Sequence, residues 1–132
     1  MENTENNRLI AEFMAFQTRT DAVDDRVLAY YVGDVIKNAD NSKNENEENV
    51  FHPEDMQFDT DWNWLMEVVG KIESIVWEEL NDTSFNVTIG ATSYCVIQDN
   101  NGDILEIIGQ GTTKIESVYK AVIEFINWYN EN

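Results

Sequence analysis

The chain has 132 residues, and its 26 Asp and Glu against eight Lys and Arg give a formal net charge of -18. A surplus of acids this large argues against direct nucleic-acid binding, which needs clustered cations. The length suits a single domain over 1–132, and 42% hydrophobic residues, including four Trp, five Tyr and six Phe, are enough to fill its core.

The sequence shows no sign of membrane insertion or export. No apolar run approaches the ~20 residues that span a bilayer, and the opening "MENTENNR" lacks the layout of a secretion signal. We expect a cytoplasmic protein that does not contact a membrane. Cys95 is the only cysteine, so no disulfide forms within the chain, and we interpret it as a small buried hydrophobe rather than a nucleophile.

The first third of the chain divides into three parts. "NNRLIAEFMAF" begins with an Asn that can cap a helix and continues with apolar residues at helical spacing, which predicts a short helix over 6–17. "TRTDAVDDRVLAYYVGDVIK" leaves helix and strand open, because Val27 and Tyr30 suit a helix whereas Gly33 and its β-branched neighbours suit a strand. The stretch 38–58 is predicted to be a flexible acidic insert, since "NADNSKNENEEN" has little to bury.

A long middle helix is predicted from "DWNWLMEVVGKIESIVWEEL", with Thr60 or Asp61 as its N-cap. Gly70 lies inside this helix, where it costs up to ~1 kcal/mol relative to Ala. We therefore expect a neighbouring element to approach it closely. The predicted apolar stripe of the helix consists of Trp62, Leu65, Met66, Val69, Ile72 and Val76.

Three strand-like runs follow the middle helix. Asn101-Gly102, in "DNNGD", predicts a β-hairpin between the last two runs. A calcium loop does not fit there: with Asp99 first, the sixth position is Ile104 rather than the required Gly. The residues that mark the three runs are, in order, Phe85, Val87 and Ile89; Tyr94, Val96 and Gln98, with Cys95 and Ile97 facing the other way; and Ile104, Leu105, Ile107 and Ile108.

The chain ends in a predicted helix over about 113–130. Thr113 and Glu116 form a capping box, and Glu116 can pair with Lys120 one turn later. The fold class is therefore α+β: N-terminal helix, long middle helix, three-stranded antiparallel meander and C-terminal helix, with an α-β-β-β-α core over 60–131. We expect the two long helices to pack on one face of the sheet. The stripe of the last helix is Ile115, Val118, Tyr119, Val122, Ile126 and Tyr129.

Charge and aromatic residues together indicate a partner-binding surface. No Lys or Arg occurs from Ile72 to Thr113, so this interval either keeps the protein soluble or meets a basic partner. Of the Trp, Tyr and Phe residues on the two long helices, most suit the core. Trp64, Trp77 and Trp128 fall off the main stripes and are predicted to be exposed contact residues. The candidate partner-binding residues are Trp64, Trp77, Glu78, Glu79, Asp82, Asp99, Asp103, Glu106 and Trp128.

No arrangement of residues predicts catalysis or a cofactor. His52 is the only histidine, so with Cys95 it cannot build a standard zinc site, and no nucleophile triad or Gly-rich phosphate loop is present. Carboxylate pairs such as Glu78-Glu79 are most simply solvated faces. We predict no catalytic, metal or cofactor-binding residues; an enzyme using a carboxylate pair in a pocket is an alternative.

The stretch "GQGTTK" resembles the start of the second helix in the double-stranded RNA-binding domain, whose topology is also α-β-β-β-α. Gly109, Gly111, Thr113 and Lys114 carry the resemblance. That family has a lysine cluster at this helix start and a cation- and His-bearing loop between its first two strands. Here Lys114 stands without further lysines beside it, and the loop is "GATS". The resemblance thus implies the fold with most phosphate contacts missing.

A second resemblance covers more of the chain. "NRLIAEFM", "DWNWLMEVVGKIE" and "KIESVYKAVIEFINWYNEN" are similar to blocks in small uncharacterised bacteriophage and prophage proteins, including relatives of the phage ABA-sandwich group. The chain departs from that pattern at Glu67, where Pro is frequent, and in its acidic insert. The resemblance implies a phage protein acting in the cytoplasm of the infected bacterial host, and it transfers no catalytic residue.

These observations favour a non-enzymatic phage inhibitor. Its acidic surface would occupy the cationic groove of a host nucleic-acid-handling defence protein, since a duplex itself carries one charge per ~1.7 Å. An anti-CRISPR protein acting on an RNA-guided nuclease or ribonucleoprotein is the most concrete version. The alternatives are a phage accessory or assembly module, including a homodimer through Trp64 and Trp128, and a degenerate double-stranded RNA-binding domain.

Overall fold

The computed structural model describes residues 3–20, 27–32, 50–80, 82–102 and 104–132. Within these ranges the protein contains three α-helices and two antiparallel sheets, which confirms the α+β class. Two short 3-10 turns lie at Pro53–Asp55 and Glu78–Leu80. The elements in chain order are α1 Thr4–Phe13, β1 Gln17–Thr20, β2 Val27–Tyr31, β3 Val50–Phe51, α2 Trp62–Ser74, β4 Val76–Trp77, β5 Thr83–Ile89, β6 Tyr94–Asp99, β7 Glu106–Gln110 and α3 Lys114–Glu131.

The first helix is shorter than the predicted 6–17. It ends at Phe13, and Ala15 takes a left-handed φ of 58°, which turns the chain so that the Phe16 N–H reaches the Ala11 carbonyl at 3.3 Å. The polar residues from Gln17 onward then form β1. In the segment left open between helix and strand, the described residues are strands: β1 pairs with β2, and β2 with β3.

The prediction of a flexible insert over 38–58 is wrong for residues 50–58. Residues 38–49 lie outside the described ranges. Residues 50–58 belong to the core: Phe51, in β3, and Phe58 are buried, and the Asn7 amide donates to the Pro53 carbonyl at 2.9 Å. The acidic composition hid this, because a few large apolar side chains among many acids still bury enough surface to fix a segment.

The middle helix begins as predicted but turns a different face to the core. The Asp61 carboxylate accepts from the Asn63 N–H at 2.8 Å as N-cap. Trp62 and Met66, placed in the predicted stripe, are 39% and 45% exposed. Val76 lies beyond the helix end, in β4, and is 58% exposed. The buried stripe is Trp64, Leu65, Val68, Val69 and Ile72.

The close approach expected at Gly70 occurs at Gly109 instead. A Cβ added to Gly70 meets nothing within 4 Å, so this position is open and the prediction was wrong. A Cβ at Gly109 would lie 2.3 Å from the Ser117 carbonyl oxygen and 2.8 Å from the Ala121 nitrogen. The absence of a side chain at Gly109 therefore lets α3 pack closely on β7.

The larger sheet has the strand order β4-β5-β6-β7, so β4 adds a strand to the three predicted from the sequence. Helix α2 packs on β5, α3 packs on β6 and β7, and the two helices contact each other. Helix α1 contacts α3, where the Tyr119 hydroxyl and the Asn7 side-chain oxygen lie 3.1 Å apart. The sheet residues buried beneath the helices include Phe85, Cys95, Ile97 and Ile107.

Two local predictions agree with the structure. Gly102 has a φ of 72°, and its N–H donates to the Asp99 carbonyl at 3.1 Å in the turn that joins β6 to β7. At the start of α3 the Thr113 hydroxyl accepts from the Glu116 N–H at 3.2 Å. The Glu116 carboxylate accepts from Thr112 N–H rather than from Thr113, and it pairs with Lys120 at 3.4 Å. In the described ranges, every helix falls short of the length and apolar character that crossing a bilayer requires.

Candidate functional site

The connection between β4 and β5 presents three acids at one end of the larger sheet. Trp77 ends β4 and pairs with Thr83, the first residue of β5. Between them the chain forms the 3-10 turn and then passes through Asp82, whose φ of 56° reverses its direction. Glu78, Glu79 and Asp82 are all exposed on this short connection. The hairpin thus exposes three carboxylates within five residues of the sequence.

Two of the three predicted contact Trp residues meet beneath these acids. The Trp77 and Trp128 rings lie edge to face with centroids 5.7 Å apart, and Trp77 also contacts Tyr129 at 5.3 Å. Trp128 contacts the buried Phe85 at 5.8 Å, which anchors the group in the core. Both Trp side chains are half-buried. The two rings are therefore held in place by aromatic contacts and are not freely exposed.

The end of α3 adds negative charge to the same region. Gly111 donates to the Ser93 carbonyl at 3.3 Å, so α3 starts beside the β5–β6 turn and runs back to the opposite end of the sheet, where Trp128 meets Trp77. Glu131 is exposed in the last turn, which contains no basic residue. The carboxyl end of a helix carries about half a negative charge, although here Asn132 donates to the carbonyls of Trp128 and Tyr129. We call Trp77, Glu78, Glu79, Asp82, Trp128 and Glu131 the acidic end.

Sequence reasoning missed Glu131 and the helix terminus. The signal was present, because no Lys or Arg follows Lys120 in the sequence. Of the ion pairs formed between described residues, Arg8–Glu5 at 3.7 Å and Lys120–Glu116 at 3.4 Å, neither involves the acidic end. The ammonium of Lys71 lies 5.5 Å from the centroid of the Phe13 ring. Arg8, Lys71 and Lys120 thus have contacts elsewhere, and the acidic residues Glu78, Glu79, Asp82 and Glu131 are exposed.

Trp64 is not a contact residue. It is 0% exposed, and its ring packs edge-on against Phe51 at 4.9 Å and Phe58 at 5.0 Å. The prediction failed because the partners that cover Trp64 come from the segment expected to be a flexible insert. A homodimer through Trp64 is excluded for the same reason.

Asp99 is also not a contact residue. It is 1% exposed, and one carboxylate oxygen accepts from the N–H groups of Ile104 and Leu105, both at 2.9 Å. Its other oxygen accepts from the Asn101 N–H at 3.2 Å. These donors belong to the turn between β6 and β7 and would otherwise lack partners. Asp99 therefore holds the turn together, and the prediction that it meets a partner was wrong.

The remaining two predicted acids do not extend the acidic end. Asp103 lies outside the described residues. Glu106 is exposed at the start of β7, on the face of the sheet that points away from the helices, in one row with Gln98 and Asn86. The next row contains Thr88, Val96 and Ile108, which carry no charge. Three of the described acids of this interval lie in the β4–β5 connection, while Glu73 and Glu106 are exposed elsewhere. The outer sheet face between that connection and Glu106 carries the neutral residues Ser84, Asn86 and Gln98.

A cavity of about 280 Å³ lies elsewhere, at the start of α3 near α1. Its polar groups already have partners: Lys120 pairs with Glu116, and the Tyr119 hydroxyl meets Asn7. Burial, with the nearby Asp59 carboxylate, raises the pKa of Tyr119, so its hydroxyl stays protonated. These contacts tie α1 to α3. Nowhere in the described ranges do three His, Cys, Asp or Glu side chains gather as metal ligands.

Cys95 lies in the sheet interior. It is buried, as the sequence predicted, and burial raises its pKa to about 11. A thiol with that pKa is almost wholly protonated at neutral pH, and only the thiolate is a good nucleophile. Cys95 therefore contributes to packing.

The turn between β5 and β6 approaches the start of α3. The Ser93 carbonyl accepts from the Gly111 N–H and from the Ser117 hydroxyl. In the described part of this region the exposed cation is Lys114, while the turn itself, Gly90–Ser93, carries none. Among the described residues, this corner therefore presents one exposed cation, Lys114, next to an uncharged turn.

No family model, no curated protein and no solved structure matches this chain. The resemblances to bacteriophage proteins and to the double-stranded RNA-binding domain therefore stay predictions.

Proposed function

We propose that this protein is a non-catalytic binding protein whose acidic end docks on the cationic surface of a nucleic-acid-handling protein. The observation that carries the proposal is that three exposed acids, Glu78, Glu79 and Asp82, lie on the connection that begins directly after Trp77, whose ring contacts Trp128. Glu131 is exposed in the last turn of α3, the helix that carries Trp128. The interval from Ile72 to Thr113 supplies no cation to neutralise this charge.

Charge and aromatic contact have different tasks in this proposal. Grooves that bind phosphate are lined with Lys and Arg, and closely spaced carboxylates attract the same side chains. The charge steers the encounter and speeds association, and this effect weakens as salt screens it. The Trp pair supplies apolar area that is already held in place by Phe85 and Tyr129, so little side-chain entropy is lost on binding.

The specific version of the proposal is a phage inhibitor that acts in the infected bacterial host. Its support is the similarity of three sequence blocks to bacteriophage proteins, together with the acidic end as a mimic of phosphate charge. An RNA-guided nuclease has a cationic channel of the required kind, since its heteroduplex is held through the backbone. An anti-CRISPR role is thus the most concrete form of the proposal.

A pull-down from the bacterial host, repeated at low and high salt, tests the proposed function. The proposal expects a nuclease or ribonucleoprotein that is retained at low salt and released as salt rises. Recovery of phage structural proteins alone favours the alternative of an accessory or assembly module. A partner retained equally at both salt concentrations contradicts an interaction dominated by the acidic end.

A degenerate RNA-binding domain is a second candidate. Apart from the two-residue strand β4, which lies between α2 and β5, the order α2, β5, β6, β7, α3 supports an interpretation as an α-β-β-β-α core. The contact of Ser93 with the start of α3 resembles the corner that family uses. Lys114 is exposed there, whereas Lys120 is paired with Glu116. A gel shift at low salt tests this candidate. Binding of double-stranded RNA by the free protein, and loss of that binding in Lys114→Gln, would favour an RNA-binding domain over charge mimicry.

A further inference from the structure

Strand β7 forms an open edge of the larger sheet. In the part of the chain that the structure describes, it has a neighbour on one side, β6. The Asp99 N–H donates to the Leu105 carbonyl at 3.3 Å, so Leu105, Ile107 and Gly109 direct their backbone groups toward β6. The alternate residues Glu106, Ile108 and Gln110 direct their N–H and carbonyl groups outward. All three are exposed.

The opposite edge of the sheet is protected, whereas the edge of β7 is not. At that opposite edge, β4 pairs with the first residues of β5, and the Glu73 carboxylate accepts from the outward Val87 N–H at 3.3 Å. A carboxylate placed on an edge donor satisfies it and repels an incoming strand. Strand β7 has no Lys and no Pro, and its pairing with β6 shows no register shift. It therefore offers a flat row of donors and acceptors.

The sequence of β7, "EIIGQ", is self-complementary when two copies meet antiparallel. With Ile108 opposite Ile108 of the second copy, Glu106 lies opposite Gln110 at both ends of the contact. Each carboxylate then faces an amide that can donate to it, and no two like charges are opposed. A register centred on Glu106 would place two carboxylates opposite each other, and one centred on Ile107 would place each carboxylate opposite an apolar Ile108. The Ile108 register therefore gives the best match of facing side chains.

The outer face of the sheet continues across such a contact. Thr88, Val96 and Ile108 are direct cross-strand neighbours, and Ile108, at the end of this row, is 52% exposed. Joining two copies at Ile108 connects the two rows into one and removes both Ile108 side chains from water. Burying apolar surface of this kind favours association.

We propose that two copies of this chain pair through their β7 edges, antiparallel and with Ile108 at the two-fold axis, to form one continuous sheet. The contact involves one strand of five residues from each copy, so it belongs to the weak class of interfaces. The net charge of -18 on each chain opposes the contact. Salt screens this repulsion and therefore strengthens pairing, whereas it weakens docking at the acidic end. The two proposals are independent of each other.

Analytical ultracentrifugation of the full chain, over a range of concentrations at low and high salt, tests the pairing. The wild type is expected to show a dimer whose fraction rises with salt. Q110E opposes two carboxylates at each end of the contact and is expected to lower the association constant roughly tenfold or more. The double variant E106Q/Q110E keeps the net charge of the wild type and reverses the pair, so it is expected to restore the dimer.

Three results overturn the proposal: a wild type that stays monomeric at every concentration and salt, a dimer that Q110E leaves unchanged, or a dimer that E106Q/Q110E does not restore. A wild type that stays monomeric under all of these conditions is also expected if another strand already pairs with the β7 edge. Ile108→Lys is a second variant at an exposed position and is expected to abolish pairing as well. Circular dichroism and thermal unfolding of each variant establish that the monomer is folded.

Discussion

At the residue scale, the acids of this chain divide into two physical classes. Glu78 and Asp82 are exposed, and their charge is available to a partner. Asp99 is buried and accepts backbone hydrogen bonds from Asn101, Ile104 and Leu105, so it serves the turn between β6 and β7. Sequence position did not separate the classes, because both occur in polar stretches beside strands.

Replacing Asp99 by Ala is expected to lower the free energy of unfolding by roughly 2–4 kcal/mol, because three backbone donors lose an ionised acceptor. Chemical denaturation measures this change. Glu106→Gln is the matched control: it removes an exposed acid next to the same turn and is expected to change stability by less than about 0.5 kcal/mol. Equal effects of the two variants would contradict the structural assignment of Asp99.

Cys95 and Tyr119 make stability depend on alkaline pH. Burial raises the pKa of Cys95 to about 11 and also raises that of Tyr119. In the unfolded chain both groups ionise at lower pH, so above pH ~9 the unfolded state binds fewer protons and is favoured. We expect the urea concentration at the midpoint of unfolding to be independent of pH below pH ~8.5 and to fall as pH rises toward 11. Cys95→Val should reduce the fall; a midpoint unaffected by alkaline pH would contradict this account.

At the element scale, Gly70 in α2 and Gly109 in β7 differ in how closely a neighbouring element approaches them. Gly70 is exposed in α2, with nothing within 4 Å of an added Cβ, whereas a Cβ at Gly109 would collide with the backbone of α3 at 2.3 Å. The spacing between α3 and β7 thus depends on Gly109. Because α3 carries Trp128 and Glu131, this spacing also positions part of the acidic end.

Substituting Ala at each glycine therefore has opposite expected effects. Gly70→Ala should stabilise the protein by up to ~1 kcal/mol, since Ala is the better helix former and the position is open. Gly109→Ala should destabilise it by roughly 1–3 kcal/mol, because backbone atoms must shift. Thermal unfolding of both variants provides the comparison. Stabilisation by Gly109→Ala would show that the helix and strand are not in close contact.

Elements set by local patterns were predictable from the sequence, and those set by distant contacts were not. The helix caps at Asp61 and Thr113 and the turn at Gly102 depend on neighbouring residues. The buried face of α2 was predicted incorrectly because most residues from Trp62 to Val69 are apolar, so periodicity alone could not identify the side that faces the core. Strand β3 was missed because its two residues pair with β2, about twenty positions earlier.

The acidic end was predicted in part for the same reason. Glu78, Glu79 and Asp82 follow one another in sequence, so their grouping is local. The meeting of Trp77 with Trp128 was not visible as a contact, because it depends on how α3 crosses the sheet. Trp64 is of the same residue type and also lies off the stripe predicted from the sequence, yet it is in the core.

At the scale of the whole molecule, a net charge of -18 acts on two proposed contacts with opposite sign. Docking of the acidic end on a cationic surface is strongest at low ionic strength. Pairing of two copies through β7 is strongest at high ionic strength, because repulsion between the chains is then screened. The Debye length falls from ~10 Å at 0.1 M salt to ~3 Å at 1 M, so this range separates the two effects.

The central claim is that the position of the carboxylates, and not only their number, determines binding. Two variants separate these causes. E78Q/E79Q/D82N removes three charges from the acidic end, and E12Q/E67Q/E124Q removes three from exposed positions on the three helices. Both leave the same net charge, and Asn tolerates the left-handed backbone at position 82.

The most direct measurement is the affinity of the wild type and both variants for a purified guide-loaded RNA-guided nuclease of the bacterial host, at low ionic strength. The account predicts that E78Q/E79Q/D82N loses at least about tenfold in affinity, roughly 1.4 kcal/mol, while E12Q/E67Q/E124Q loses less than about threefold. Equal losses in the two variants, or a wild type that does not bind, would contradict it.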